Sequence, residues 1–533
     1  MTVKARNMET LNNIIPSLIT TSACLEYYQD GILKKQSFQQ VYKDVLSCIE
    51  FFSKLKIIKG SYIGILGSNC YDWIIIDLAC LAKGFISVPF DPNGTYNFEY
   101  LIQEYNLSLL MTSFTDKVLE KQNIYPFNIY YQEVEGSIKY IDAYKYSHDD
   151  IFTIKFTSGS TQEPKAIKTK AQSADDSIAS IQELFAHDQH DKIVVFLPLY
   201  LLQHRYWVYS AILYNFDILL TSPLLALRAI TDGKPTVIMG VPEFYNTLKL
   251  KFLRDLNRSI ISTMKLRIYQ LLNRISTGFL AKKIGYLPFK NFLGGKIRYL
   301  WTGSAASSID TLRFYYEMGI DIFQGYGMNE ICILAKNYPN NNKLGSVGKL
   351  LPNKEVIFDT EGQILVKNHY EVNTQYYKST VKDDEETFAN DGFVRTGDLG
   401  FMDNEGYLYI TGRKKSLIVL SSGKKIVPQK IEDKLCQSQF IKHSIVCGTD
   451  HPYLIAIIQP VSTNITAMEL KGDIEAINKK LNSEERIYDF HIVEQPFTTE
   501  NGMLTSQFKL RRNKILEKYH DQIEILYFKK TLL

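Results

Sequence analysis

An α/β protein of two unequal domains is predicted by three observations on the sequence. Short apolar strands that close on Gly, Ser or Pro alternate with apolar helical stretches as far as about residue 304. Segments with period-two alternation replace them after Gly345, and a compact group of strands and helices follows Arg413. Strands alternating with helices imply mostly parallel sheets, because a parallel neighbour is reached by a crossover that a helix supplies. The expected architecture is a large N-terminal domain, residues 1–413, of mostly parallel α/β sheets with a small β-barrel-like subdomain. A small, mobile α+β C-terminal domain, residues 414–533, follows a hinge near Lys415.

Between Ile63 and Pro92 the chain reads IGILGSN, DWIIIDLACLAKG and FISVPFDP: a strand, an apolar helix ending near Gly84, and a second strand. The pattern recurs at IVVFLPL, TVIMGVP and KIRYLWTGS. GQILVK and GYLYITG then alternate as half-buried antiparallel strands do. Beyond Arg413, LIVLSSGKKIVPQKIEDKL, SIVCGT and YLIAIIQPV fit a domain of their own. No internal repeat or low-complexity tract is present, which excludes solenoid and disordered classes.

With 533 residues and 45% hydrophobic content, more than one core is expected. The most apolar segment, Tyr206 to Leu227, is broken by Asp217 and Pro223, so no membrane span is expected. The N-terminus lacks the apolar run and small-residue site of a secretory signal, and a cytoplasmic protein is expected. Seven scattered cysteines without a CxxC pair read as reduced thiols. The net charge is +4, but Lys249 to Arg298 holds 12 Lys/Arg against the single acid Asp255. A solvated helix face explains that block most simply; an anionic contact is the alternative, with a phosphate-rich ligand, an acidic carrier protein or a lipid surface touched peripherally. No nucleic-acid-binding motif accompanies it.

The chemistry is concentrated in FTSGSTQEPK, Phe156 to Lys165. The strand Ile151 to Phe156 feeds Thr157, Ser158, Gly159, Ser160 and Thr161, whose hydroxyl and backbone N–H donors can wrap anionic oxygens, and Lys165 adds a point charge. The GxxxxGK[ST] spacing of the common phosphate loop is absent. By itself the segment is a polar turn. Four further motifs follow: GYGMNE (325–330), RTGDLG (395–400), GRKKSLIVLSSGKKIVPQKIE (412–432) and NGMLTSQFKLRR (501–512). In this order the five resemble the signatures of the adenylate-forming superfamily, and LPLYLLQHRYW, KIRYLWTGSAA and HPYLIAIIQP are most similar to the long-chain acyl-CoA synthetases.

The resemblance implies ATP, Mg²⁺ and CoA as co-substrate. Residues Thr157 to Thr161 and Lys165, with Gly325, Tyr326, Gly327 and Asn329, would bind the nucleotide; Tyr326 would stack on adenine. Asp398 and Arg413 would hold the ribose, since an acceptor-only carboxylate suits a diol. Glu330 would hold Mg²⁺ through a hard oxygen ligand. Lys509 would bridge the reacting carboxylate and the α-phosphate, and it is placed with Glu330 and Thr157 as catalytic. Lys415 would be the hinge, and Gly423 would border a thiol channel. Tyr206, Trp207, Gly303, Ser304 and Ala305 would line the acyl pocket. The implied reaction activates a carboxylic acid, a medium or long fatty acid, as acyl-AMP with release of pyrophosphate, then transfers it to CoA. A holo acyl carrier protein as acceptor, or a catalytically weakened nucleotide- or lipid-binding relative, are the alternatives.

Four departures bear on efficiency. Gln162 and Ala166 stand where the family pattern has glycine, and Asn329 stands for threonine. Leu201 occupies a position often held by histidine, with His204 and Arg205 nearby. The SxxK formed by Ser506 and Lys509 lacks the companion motifs of the penicillin-binding fold and reads as chance.

Overall fold

The structure is a computed structural model that describes residues 8–94, 96–114, 122–131, 140–157, 165–257, 263–269, 286–370, 375–378, 381–388, 391–505 and 508–531. Among these, one sheet runs in the order Ile124–Pro126, Leu107–Thr112, Tyr62–Leu66, Ile86–Phe90, Ile151–Phe156, Ala166–Lys170. Every neighbour is parallel except the last pair, which forms a hairpin. The crossover helix Tyr71–Lys83 is buried along almost its whole length and ends on Gly84 at φ +66°. A Cβ at Gly84 would stand 2.8 Å from the ring of Tyr144, so both the left-handed turn and the close approach require glycine.

A 13-stranded sheet forms the rest of the large domain. Its parallel half holds Cys24–Gln29, Asp217–Leu220, Lys192–Val195, Val237–Gly240 and Tyr299–Thr302. The strand Ile322–Met328 belongs to both halves: Ile322 to Gln324 pair in parallel with Tyr299–Thr302, whereas Gly325 to Met328 pair antiparallel with Cys332–Lys336. The change falls between Gln324 and Gly325, and a register shift between Tyr326 and Gly327 follows inside the antiparallel part. Antiparallel strands then continue through Gly348–Leu350, Tyr407–Arg413, Val394–Met402, Gln363–Asn368 and Lys354–Phe358. The antiparallel subdomain expected after Gly345 is therefore hydrogen-bonded onto the parallel sheet, and among the described residues no ladder closes it into a barrel.

The chain leaves this sheet at Arg413 through the single turn Lys414–Ser416. Beyond it, Ile441–Cys447, Leu454–Pro460 and Ile487–Ile492 form a separate sheet. Period-two alternation divides its faces. Val446, Ala456 and Ile458 pack with Ile431 and Leu435 of the helix Pro428–Leu435 and with Leu470 and Ile474 of Ala467–Asn478. Ile445, Ile455 and Ile457 pack on the other face with Ile515, Tyr519, Ile523 and Tyr527 near the C-terminus. Phe508 touches this second core and the core of the large domain as well.

One buried charge pair joins four elements beneath the phosphate-loop strand. Arg205, on the helix Leu202–Tyr214, is 1% exposed. Its guanidinium donates to Asp77 Oδ1 (2.9 Å), Ser87 Oγ (3.0 Å) and Thr153 Oγ1 (3.0 Å), and the Tyr209 hydroxyl completes the Asp77 carboxylate. Removing one partner leaves an unmatched buried charge. Asp77→Ala should cost about 3–5 kcal/mol of stability, and the double variant Asp77→Ala/Arg205→Leu should be less destabilised than the single one, as read by urea denaturation.

Candidate active site

The hairpin Ile151–Phe156 and Ala166–Lys170 presents the base of the phosphate loop. The Thr157 N–H donates to the Lys165 carbonyl (2.8 Å), and the Lys165 N–H donates to Thr157 Oγ1 (2.9 Å). Ser158, Gly159, Ser160, Thr161 and Gln162 lie outside the described residues. The Asn329 amide donates to the Phe156 carbonyl (2.7 Å), so the GYGMNE segment is fastened to the start of the loop by the residue that departs from the family threonine.

Thr157 borders a cavity of about 1710 Å³, together with Gly325, Tyr326, Gly327, Asn329 and Glu330. Glu330 is 6% exposed and accepts a hydrogen bond from the Tyr376 hydroxyl (2.8 Å). Lys165 Nζ lies 4.9 Å from the centroid of the same Tyr376 ring. The phenol is thus a link between the lysine and the glutamate, and burial with the Glu330 charge raises its pKa. Tyr376 was not singled out from the sequence, because a tyrosine in a loop carries no motif.

Asp398 and Arg413 are register partners on Val394–Met402 and Tyr407–Arg413. Arg413 Nε lies 2.9 Å from Asp398 Oδ1, and the Tyr326 hydroxyl donates to Oδ2 (2.5 Å). The side chain expected to stack on adenine therefore also donates to the carboxylate expected to hold the ribose. Lys509 enters the same cavity wall from the small domain. A tight turn holds it: its N–H donates to Thr505 Oγ1 (3.1 Å), and its carbonyl accepts from the Thr505 N–H (2.8 Å). Phe508, just before it, has φ +59°, a left-handed conformation that costs about 1–2 kcal/mol for a residue with a Cβ. Dense surroundings and the Arg413 charge lower the Lys509 pKa to about 8, against the opposing pull of Asp398.

Tyr206, Trp207, Gly303, Ser304 and Ala305 all border the cavity. Tyr206 and Trp207 also belong to the main core. Trp207 meets Trp301 edge-on, with centroids 4.6 Å apart, and its indole N–H points at Met239 Sδ, giving this side of the cavity an apolar aromatic wall. Of the residues near Leu201, Arg205 is committed to Asp77, and burial lowers the pKa of His204 to about 3, a neutral ring. Neither supplies a positive charge to the cavity.

Lys415 borders the cavity, is exposed, and has Nζ 3.2 Å from Glu386 Oε2. Lys414 and, from the small domain, Lys425 both reach Glu361 at 2.7 Å. Such exposed pairs contribute about 0–1 kcal/mol each, a weak restraint on domain orientation. Gly423 is not brought to the cavity: it lies on the turn between Ile418–Val419 and Lys425–Ile426 at φ +80°, with nothing near its Cβ position. Among the described residues no three acidic, His or Cys side chains cluster as a metal site. One buried carboxylate, Glu330, in the cavity that Thr157 also borders still fits Mg²⁺, which keeps waters and takes phosphate oxygens instead of an all-protein cage.

Family comparison accounts for this arrangement. The model of the AMP-binding enzymes matches residues 23–370, and that of the AMP-binding enzyme C-terminal domain matches residues 415–531. The chain belongs to the AMP-binding enzyme family. Its similar relatives include the long-chain-fatty-acid–CoA ligase FadD15 of Mycobacterium bovis, 25% identical over 94% of this chain and 95% of that one. Long-chain-fatty-acid–CoA ligase 5 of Rattus norvegicus is 25% identical over 91% and 84%. The fold is shared with the o-succinylbenzoate CoA synthetase of Bacillus subtilis solved with ATP and magnesium (TM-score 0.73, 21% identity, 94% and 98% covered). It is shared too with the adenylation domain of a carboxylate reductase from Mycobacterium chelonae (TM-score 0.79, 18%, 98% and 91%).

The opposing influences on Lys509 give a signed prediction. A cation with a lowered pKa keeps its charge below about 8 and loses it above. Asp398→Asn should move the midpoint down and Arg413→Met should move it up, as read by an NMR titration of reductively methylated Lys509.

Proposed function

We propose that the chain is an ATP-dependent acid–thiol ligase that makes an acyl-AMP and then an acyl-CoA thioester. The observation that carries this reading is Lys509 of the small domain meeting the Asp398–Arg413 pair in the wall of one cavity that also contains Glu330, Thr157 and an aromatic acyl wall. In the first half-reaction the carboxylate oxygen attacks the α-phosphorus of ATP, the bond to the bridging oxygen breaks, and pyrophosphate leaves. Lys509 neutralises the charge that grows on the α-phosphate and carboxylate oxygens. Asp398 and Arg413 orient the ribose, and Thr157 and Lys165 hold the phosphate loop. Bound Mg²⁺ would neutralise the triphosphate, with Glu330 as its protein oxygen ligand.

In the second half-reaction the thiol adds to the acyl carbonyl and AMP departs. We place the boundary between domains 1–413 and 414–533 at the turn that contains Lys415, and assign Gly423 to the thiol channel formed once the small domain turns. The exposed ion pairs around Glu361 are consistent with such a reorientation. A medium or long fatty acid is the substrate that the relatives' names favour. A carrier protein as acceptor is the second reading, favoured by Lys249, Lys251, Arg254, Lys430 and Lys442 around the cavity. The same cationic surface suits peripheral contact with lipid. No helix among the described residues is long and apolar enough to cross a membrane.

Acid-dependent ATP–pyrophosphate exchange across a panel of carboxylic acids tests the reading, followed by CoA or holo carrier protein with the best acid. Absence of exchange with every acid would leave a nucleotide- or lipid-binding protein. Lys509→Ala should lower exchange by about 10²–10³-fold with ATP affinity changed little; an unchanged rate removes Lys509 from the chemistry. Lys415→Pro should suppress thioester formation while exchange persists, and equal loss of both steps would count against domain rotation.

A further inference from the structure

The acyl side of the cavity contains a buried lysine that no signature motif includes. Lys336 ends the strand Cys332–Lys336 and is the ladder partner of Gly325. It borders the cavity and is 0% exposed. Nζ donates to the Phe323 carbonyl (2.8 Å) and lies over the Trp301 ring, 3.6 Å from its centroid. Burial is the one influence on its ionisation, which it drives well below the lysine range; no described carboxylate acts on it. Among the described residues the Phe323 carbonyl is its one oxygen acceptor and the Trp301 face is a weaker one, so the group can still donate to a further oxygen.

Neighbouring glycines make this arrangement possible. A Cβ at Gly325 would stand 2.7 Å from Lys336 Cδ and 3.2 Å from Nζ, so the amino group occupies space that a side chain at 325 would fill. Gly325 and Gly303 border the same cavity as Lys336. If filling space were its whole role, methionine would do so without the cost of an under-bonded polar group. Trp301, Trp207 and Met239 give the wall apolar surface near Lys336, against which a buried polar donor can orient a ligand, alongside the Tyr206, Ser177 and Ser210 hydroxyls that border the same cavity.

We propose that Lys336 is a substrate-selecting residue, and that the acid taken by this cavity carries a second oxygen acceptor, a hydroxyl, oxo or carboxylate group remote from its reacting carboxyl. The proposal rests on the acid–thiol ligase reading. A site that offers a buried donor discriminates against an analogue lacking the acceptor, because the donor then stays under-bonded.

The test compares acids in matched pairs by kcat/KM for pyrophosphate exchange. One set is a plain alkanoate, its hydroxy and oxo derivatives substituted near the far end, and the dicarboxylate of equal length; another is phenylpropanoate and its para-hydroxy derivative. At least one oxygenated acid should be preferred over its plain partner by about tenfold or more, and the preferred member identifies the acceptor. Lys336→Met should collapse that ratio, with the KM for ATP unchanged; Lys336→Leu serves if the methionine variant is unfolded by its melting curve. Exchange without discrimination in the unmodified enzyme, or a ratio untouched by the substitution, overturns the role of Lys336 alone. No exchange with any acid removes the ligase reading and this proposal together.

Discussion

The fixed point of the large domain is the buried Arg205–Asp77 pair. Arg205 ties the helix Leu202–Tyr214 to the crossover helix Tyr71–Lys83 and to two neighbouring strands, one of which, Ile151–Phe156, delivers Thr157. Coulombic attraction in a dry interior is strong, but so is the penalty for removing both charges from water. Three further hydrogen-bonding partners, Ser87, Thr153 and Tyr209, around one guanidinium and one carboxylate are what make the pair tolerable. Its physical effect is positional: the strand Ile151–Phe156 is tied to the helix Leu202–Tyr214, whose Tyr206 and Trp207 border the cavity.

A second charge cluster works on the opposite principle. Asp398, Arg413, Tyr326 and Lys509 meet at the cavity surface, where Lys509 is half-buried and Arg413 is exposed. Here a like charge and an opposite charge act on one lysine from two sides, and the result is a cation close to its titration point instead of a locked pair. Two basic side chains against one carboxylate leave such a cluster suited to an anionic nucleotide.

Much of this was legible in the sequence. Alternating strands and helices foretold the parallel sheets, Gly84 its helix end, and period-two alternation the antiparallel strands Gln363–Asn368 and Tyr407–Arg413. The motifs at 325–330, 395–400 and 501–512 converge on one cavity although they are far apart in the chain. What escaped was long-range pairing. Arg205 read as a possible site residue because Asp77, 128 positions away, carries no signal of partnership. Tyr376 and Lys336 escaped for the same reason: each matters through a neighbour, Glu330 or Gly325, that only the fold supplies. The antiparallel strands were foreseen, but not their union with the parallel sheet, since one strand serving two ladders, Ile322–Met328, leaves no mark on local periodicity.

Phe508 gives the small domain a thermal signature. Its ring rests against the large-domain core on one side and the small-domain core on the other, directly before the lysine of the site. Any turning of the small domain must draw aromatic surface away from one core and expose it to water. Apolar exposure raises heat capacity, so the two domain arrangements proposed above would differ in heat capacity as well as in geometry. The balance between them would then curve with temperature, and the partition between the adenylate and thioester halves of a catalytic cycle would be set partly by how warm the water is.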